Sequence, residues 1–125
     1  MKLFTVNEAN DLLPVVRPKL EKIRRLYDQL ETFRESAKAA SVAAESGGGG
    51  MEGGSSYVHS LYEIGKLTTE LGDLGIQLKD YSRGLIDFPS MREDRVVLLC
   101  WQLGEGDELE YWHEPEGGFI GRQPL

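Results

Sequence analysis

Two long stretches of the chain repeat apolar residues in steps of three and four, the spacing of a helix that packs along one seam. The first stretch contains Leu13, Val16, Leu20, Ile23, Tyr27 and Leu30, with Leu12, Leu26 and Phe33 beside them. The second contains Leu61, Ile64, Leu67, Leu71, Leu74, Leu78, Tyr81 and Leu85. Residues 47–54 between them read GGGGMEGG, and so many glycines lose too much backbone entropy to hold a helix. Residues 1–84 are therefore predicted to form an antiparallel helical hairpin with a glycine-rich turn.

Local signals predict where these helices begin and end. Thr5 and Glu8 have the spacing of a capping box, so the first helix is predicted to begin there. Pro14 and Pro18 each remove a backbone donor, which predicts a short first helix, a kink and a longer helix that restarts near Pro18. The second helix is predicted to end at Gly84, as a left-handed cap.

Three glycines, Gly65, Gly72 and Gly75, lie inside the second periodic stretch. Each costs up to about 1 kcal/mol relative to alanine within a helix, so something should compensate. Close approach of a neighbouring helix is the favoured interpretation, and contact with a ligand is the alternative.

Beyond Gly84 the apolar period changes to two, which predicts three short strands in LIDF, RVVLLCWQL and LEYWHE. Pro89 is expected to end the first, and the turn GEGDE to join the other two in an antiparallel hairpin. The middle strand is apolar on both sides and is therefore predicted to be central, with both faces covered. The third alternates, which predicts one face with Leu109, Tyr111 and His113 and a wet, acidic face with Glu110, Trp112 and Glu114.

The C-terminal sequence GGFIGRQPL is predicted to form an extended arm, with Phe119 and Ile120 as apolar anchors. Such an arm could cover the second face of the sheet in its own subunit or in a partner. The chain is thus predicted to be one α+β domain over residues 1–125. It combines a long antiparallel helical hairpin, residues 1–84, with a small C-terminal antiparallel β-sheet and arm, residues 85–125.

The length of the hairpin predicts a homodimer. A helix over residues 18–45 would run about 40 Å, whereas a compact chain of this length has a radius of gyration near about 14 Å. The hairpin should therefore project and leave part of its broad apolar stripe in water. Pairing of two hairpins into a four-helix bundle about a twofold axis would cover that stripe.

Charge and composition exclude several classes of function. The net charge is −7, and residues 87–125 carry nine acidic against three basic side chains, which argues against nucleic-acid binding. No apolar run approaches the roughly 20 residues of a membrane helix, and no secretory signal is visible, so a cytoplasmic protein without a membrane partner is expected. Cys100 is the single cysteine and is predicted to be a buried, inert thiol.

The alternation of the third strand places His113 with apolar residues, so a buried histidine satisfied by one hydrogen bond is the simplest interpretation. The functional alternative adds Asp87, Glu114 and Arg122. Two carboxylates and an imidazole could bind a divalent metal or move a proton, and Arg122 could hold an anionic group. Trp112 completes the candidate binding residues. No cofactor is predicted and no metal is favoured, with His113 and Glu114 as the possible ligands.

Three segments of the chain carry a resemblance to a known family. They are FTVNEANDLLPVVRP, GLIDFPS and LCWQLGE…YWHEPEGGFIGRQPL, and they resemble the small bacterial family catalogued as domain of unknown function 2203. The resemblance covers nearly the whole chain except the glycine-rich turn. Ser90, Pro115 and Ile120 stand where other small or aliphatic residues are usual in that family. The resemblance implies no activity and no catalytic residue.

Two classes of function remain open from the sequence. The favoured one is a non-enzymatic cytoplasmic interaction or scaffold module that dimerises through its helical hairpin. The alternative is a small metal-binding protein or hydrolase-like enzyme that uses Asp87, His113, Glu114 and Arg122.

Overall fold

The fold consists of two helices followed by a five-stranded antiparallel sheet, in a computed structural model that describes residues 1–45 and 54–125. The helices are α1 (Val6–Glu45) and α2 (Gly54–Asp73), and the strands are β1 (Gln77–Asp80), β2 (Leu85–Arg92), β3 (Arg95–Gln102), β4 (Tyr111–His113) and β5 (Gln123–Pro124). The strands lie in the sheet in chain order. The predicted α+β class is confirmed. The predicted glycine-rich turn 47–54 falls outside the described residues except for Gly54, which begins α2.

Helix α1 is continuous from Val6 to Glu45, so the predicted break and restart near Pro18 is wrong. Pro14 and Pro18 lie inside the helix and both are exposed. Each proline costs about 3 kcal/mol in a helix interior. A break would separate Leu13 from Leu20, both fully buried on the opposite side, and each such side chain contributes about 1.5–3 kcal/mol by burial. The burial of one whole helix face therefore offsets the two lost hydrogen bonds.

The start of α1 is the capping box that the sequence predicts. The Thr5 backbone N–H donates to Glu8 Oε1 at 2.9 Å, and the Glu8 N–H donates to Thr5 Oγ1 at 3.1 Å. The hydrogen bond from the Thr5 backbone N–H to the carboxylate, followed by one from the Thr5 side chain, lowers the pKa of Glu8, because both favour its charged form. The helix therefore begins at the predicted position.

Helix α2 ends at Asp73, eleven residues before the predicted end at Gly84. The Ile76 N–H donates to the Leu71 carbonyl at 3.0 Å and the Gly75 N–H to the Gly72 carbonyl at 2.9 Å, which is the Schellman pattern of a helix C-terminus. Gly75 takes the left-handed conformation that this motif needs, with φ of +93°. The actual cap is therefore Gly75.

Helices α1 and α2 form the predicted antiparallel hairpin. Lys19 Nζ lies 2.7 Å from Glu70 Oε2, near the C-terminal end of α2. At the other end, the rings of Phe33 and Tyr57 stack with centroids 4.4 Å apart. The predicted seam of α1 is buried inside one copy, since Leu13, Val16, Leu20, Ile23 and Leu30 are at most 3% exposed. A single chain thus covers most of the surface that was expected to need a partner.

Strand β2 continues through Pro89 to Arg92, so the prediction that Pro89 ends the first strand is wrong. Strand β1 pairs only with the first part of β2, at Leu85, Ile86 and Asp87. Beyond that point β2 has an edge, where proline is tolerated. The Phe4 N–H donates to the Pro89 carbonyl there at 2.7 Å.

Strand β3 is central in the sheet and is buried on both faces, as predicted. One face packs against α1 and includes Ile86, Phe88, Leu99, Trp101 and Trp112, all within the main core cluster. Trp112 is only 6% exposed, so the expectation that it shares a wet, acidic face is wrong. Burial of the large indole in the core stabilises the fold more than exposure of the indole to water would.

The opposite side of the sheet is called the far face here, and it consists of Leu85, Asp87, Pro89, Leu98, Cys100, Tyr111 and His113. Residues 114–122 pass beside it, mostly in turns, before β5 pairs with β4. Phe119 is half-buried there, whereas Ile120 is 98% exposed. The predicted role of Ile120 as an apolar anchor is therefore wrong within its own subunit, and an anchor in a partner subunit stays a prediction.

Within residues 1–45 and 54–125, neither helix combines the length and the apolar character that a membrane span requires.

Candidate functional site

Asp87, Cys100 and His113 meet on the far face, each from a different strand. The register pairs Asp87 of β2 directly with Cys100 of β3, and His113 of β4 with Leu98, two residues from Cys100. Because side chains alternate along a strand, all three point to the same side of the sheet. Each is at most 3% exposed. Three neighbouring strands therefore hold a carboxylate, a thiol and an imidazole together in a buried position.

The imidazole of His113 makes a hydrogen bond through each nitrogen. Nδ1 lies 2.8 Å from the Glu114 carbonyl oxygen, and Nε2 lies 3.0 Å from Asp87 Oδ1. A carbonyl oxygen only accepts, so Nδ1 must carry a hydrogen. Nε2 and Oδ1 then share one further proton, either as imidazolium with carboxylate or as neutral imidazole with carboxylic acid. The Asp87–His113 pair has no net charge in either form, which suits a buried site.

Burial, followed by the charge of Asp87, raises the pKa of the Cys100 thiol to about 12. Arg122 Nη1 donates to Sγ at 3.8 Å and acts in the opposite direction. Near neutral pH the thiol of the metal-free protein is therefore protonated, and a protonated thiol is a poor nucleophile. Cys100 is buried, as predicted.

Arg122 lies across the edge of the far face in a fixed position. Its Nη1 and Nη2 atoms donate to the two oxygens of Glu105 at 3.1 and 2.7 Å. Its guanidinium carbon also lies 4.0 Å from the ring centroid of Tyr111 and 4.4 Å from that of Phe119. This bidentate pairing and stacking leave Glu105 as the anionic partner of Arg122.

A cavity of about 170 Å³ opens beside the cluster. It is lined by Asp87 and His113 together with Lys79, Leu85, Leu98, Pro115, Gly118 and Phe119. Since one water occupies about 30 Å³ in the liquid, the space admits several waters or a small ligand. The imidazole, the carboxylate and the Lys79 side chain are thus the polar groups that a small molecule in this cavity could reach.

Some of the candidate residues inferred from the sequence lie in this cluster, and the others lie elsewhere in the fold. Asp87 and His113 are brought together. Glu114 turns away and pairs with Arg95, whose Nε donates to Oε1 at 2.9 Å, and these hydrogen bonds lower the pKa of Glu114. Trp112 lies on the opposite face of the sheet, with the guanidinium of Arg92 4.5 Å from its ring centroid.

Sequence reasoning did not include Cys100 in the cluster, nor Glu105 as the partner of Arg122. A signal for Cys100 was present, because Asp87 is the one acid within the apolar segment LIDFP and needs a polar neighbour when buried. The position of that neighbour depends on the register between β2 and β3. No comparable signal marks Glu105, which comes from a loop.

A second surface with functional potential lies on the outer side of α2. It is called the α2 stripe here and consists of Val58, Leu61, Tyr62, Gly65 and Gly72. Val58 and Tyr62 are 64% and 66% exposed. A Cβ atom added at Gly65 or Gly72 would meet nothing within 4 Å. The expectation that close approach of a neighbouring helix explains these two glycines is therefore wrong within the described chain.

Comparison with known proteins gives a family match and no closer relative. A family model described as "Uncharacterized conserved protein (DUF2203)" matches residues 2–125. No curated protein and no solved structure matches the chain.

Proposed function

Because the chain belongs to the DUF2203 family, whose description names no activity, we propose a function from the surface of the chain itself. The protein is a non-enzymatic cytoplasmic interaction module, and two copies of the chain pair through the α2 stripe. The observation that carries this proposal is the run of exposed apolar side chains and open glycines along one side of α2. A buried free thiol at Cys100 fits a reducing compartment.

The α2 stripe lies on a different side of α2 from the one that the hairpin already buries. Ile64, Leu67 and Leu71 face α1 and the core. The stripe residues are offset from the centre of that buried side by about a quarter to a half turn, since a helix advances 100° per residue. Leu61 is 44% exposed, although its spacing fits the predicted seam. An apolar run beside small residues is typical of a helix surface that contacts another helix.

The two open glycines support a contact outside the chain. Each costs up to about 1 kcal/mol relative to alanine in a helix. Nothing within the described residues packs over Gly65 or Gly72, so nothing there offsets that cost. A helix of a second copy could approach α2 closely at both positions, because neither glycine carries a side chain.

A second copy is favoured because the surface can complement itself. Lys66 and Glu70 border the groove above Gly65, together with Leu61 and Tyr62. In an antiparallel pair of α2 helices, Lys66 of each copy would lie near Glu70 of the other, which also pairs with Lys19 of its own chain. The α2 stripe alone is about 21 Å by 10 Å, on the order of 200 Å². A stable interface needs about 800 Å² per partner, so the outer side of α1 must join it in a four-helix arrangement.

Sedimentation velocity of two matched variants tests this proposal. Tyr62→Glu places a charge in the centre of the α2 stripe and is expected to shift the protein to the monomer. Ile120→Glu changes an even more exposed apolar residue outside the stripe and is expected to leave the dimer intact. A dimer that survives Tyr62→Glu, or that Ile120→Glu disrupts equally, would contradict the proposal.

Gly65→Ala gives an independent test, because it is expected to stabilise the monomer and to weaken the dimer. The added methyl group meets nothing among residues 1–45 and 54–125, so the variant monomer is expected to be more stable by up to about 1 kcal/mol. The same methyl group would separate two closely packed helices and weaken the dimer. Urea unfolding at low concentration and the dissociation constant of the dimer measure the two effects. An unchanged or lower dissociation constant would exclude close packing at Gly65.

A further inference from the structure

We propose that Asp87, Cys100 and His113 form a binding site for a divalent transition metal, with Zn²⁺ as the best-matched ion. The potential ligand atoms of these residues all lie within 4.8 Å of one another. Zinc bonds of about 2.0–2.3 Å separate tetrahedral ligands by about 3.5 Å, so small side-chain movements bring the three atoms into range. A set of nitrogen, sulfur and oxygen ligands suits Zn²⁺ rather than Mg²⁺ or Ca²⁺.

The position of these residues in the sheet favours a defined site. They come from the neighbouring strands β2, β3 and β4, and the backbone hydrogen bonds of the sheet fix their spacing. All three side chains are buried. Ligands that project from strands are held more precisely than ligands on loops.

The hydrogen bond of His113 to the main chain prepares the imidazole for a metal. Nδ1–H donates to the Glu114 carbonyl at 2.8 Å, which directs Nε2 towards Asp87 and Cys100. Histidine ligands in metal sites commonly donate their second nitrogen to a carbonyl or a carboxylate in this way. The metal would take the place of the proton that Nε2 shares with Asp87 Oδ1.

The charges of the cluster also balance around a dication. When a metal binds, two protons leave: the thiol proton of Cys100 and the proton shared by Asp87 and His113. One carboxylate, one thiolate and one neutral imidazole then neutralise M²⁺, so the buried cluster carries no net charge before or after binding. The nearby guanidinium of Arg122 is neutralised by Glu105 at 2.7 Å and can donate to the thiolate.

Three protein ligands leave a fourth position open, as in sites that keep a water or a ligand on zinc. The cavity of about 170 Å³ borders Asp87 and His113. The open position would therefore face this cavity, whereas Cys100 does not line the cavity and lies beside Arg122. The site differs from the pair His113 and Glu114, because the Glu114 side chain binds Arg95.

Titration of the metal-depleted, full-length protein with Co²⁺ tests the site. Co²⁺ takes zinc positions and shows a near-ultraviolet charge-transfer band when a thiolate binds it. The chain has one cysteine, so a band that saturates at one Co²⁺ per chain identifies Cys100 as a ligand, and added Zn²⁺ should displace it. A wild-type protein that shows no such band would overturn the proposal, even if every variant failed to fold.

Variants then identify the other ligands. Loss of a supporting hydrogen bond alone weakens metal binding about 10–100-fold, so His113→Ala and Cys100→Ser are expected to weaken Zn²⁺ binding at least about 100-fold. His59→Ala removes the other histidine, and Glu114→Gln keeps the carbonyl that holds Nδ1. Both should bind as the wild type does. Binding that persists in His113→Ala, or that requires His59, would contradict the proposed site. The mass of the protein in solution, measured with and without a chelator, shows whether metal binding depends on dimerisation.

Discussion

At the scale of single residues, the alternation of side chains was enough to place His113 among apolar neighbours and Cys100 beside Leu98. The alternation alone did not predict that Asp87 contacts Cys100 and His113. That contact depends on the register of β2 against β3, and the interpretation of Pro89 as a strand end removed half of the residues that define this register. The partners of Glu114 and Arg122 could not be predicted for a different reason: Arg95, at the start of β3, is 19 residues from Glu114, and Glu105 lies in a loop.

The Cys100 thiol predicts a specific dependence of stability on pH. In the metal-free protein its pKa rises from 9.0 to about 12 on folding. Above pH 9 the unfolded chain loses this proton while the folded chain keeps it. The free energy of unfolding should therefore fall by up to about 1.4 kcal/mol per pH unit between these two values. Urea unfolding of the wild type and of Cys100→Ser at several alkaline pH values measures this difference.

The serine variant removes this one titration and leaves the tyrosines and lysines in place. Its stability should therefore decline less steeply with pH than that of the wild type. Equal slopes would show that the thiol is not shielded from water as the structure describes.

At the scale of elements, the start of α1 was predicted correctly because a capping box is a local signal. The end of α2 was not, because the apolar spacing fits two structures at once. Leu74 and Leu78 are four residues apart, which matches a helix turn but is also an even number, and with Ile76 they fit the period of a strand. The Schellman bonds around Gly75 decide between the two.

Two glycines near the end of α2 should respond to alanine with opposite signs. Gly75 has φ of +93°, and its added Cβ would lie 3.0 Å from Lys2 Cβ. Gly75→Ala is therefore expected to destabilise the protein by about 1–2 kcal/mol. Gly72 has open space around it, so Gly72→Ala is expected to stabilise the monomer by up to about 1 kcal/mol. Thermal or urea unfolding at low protein concentration measures both changes, and changes of the same sign would place the cap elsewhere.

At the scale of the whole molecule, sequence reasoning overestimated the surface that a single copy leaves in water. It treated the hairpin as separate from the sheet, whereas α1 lies across one face of the sheet and buries its seam there. Tertiary packing of this kind joins residues far apart in the chain, and no local pattern reveals it. The case for a second copy therefore rests on the α2 stripe rather than on the helix seam.

The mass of the wild-type protein in solution, measured by light scattering over a range of micromolar concentrations, tests this claim most directly. Each chain has a mass of 14.0 kDa. Pairing through the α2 stripe predicts about twice that mass at the higher concentrations and a decrease towards one chain on dilution. A mass of one chain throughout this range would contradict the proposed dimer.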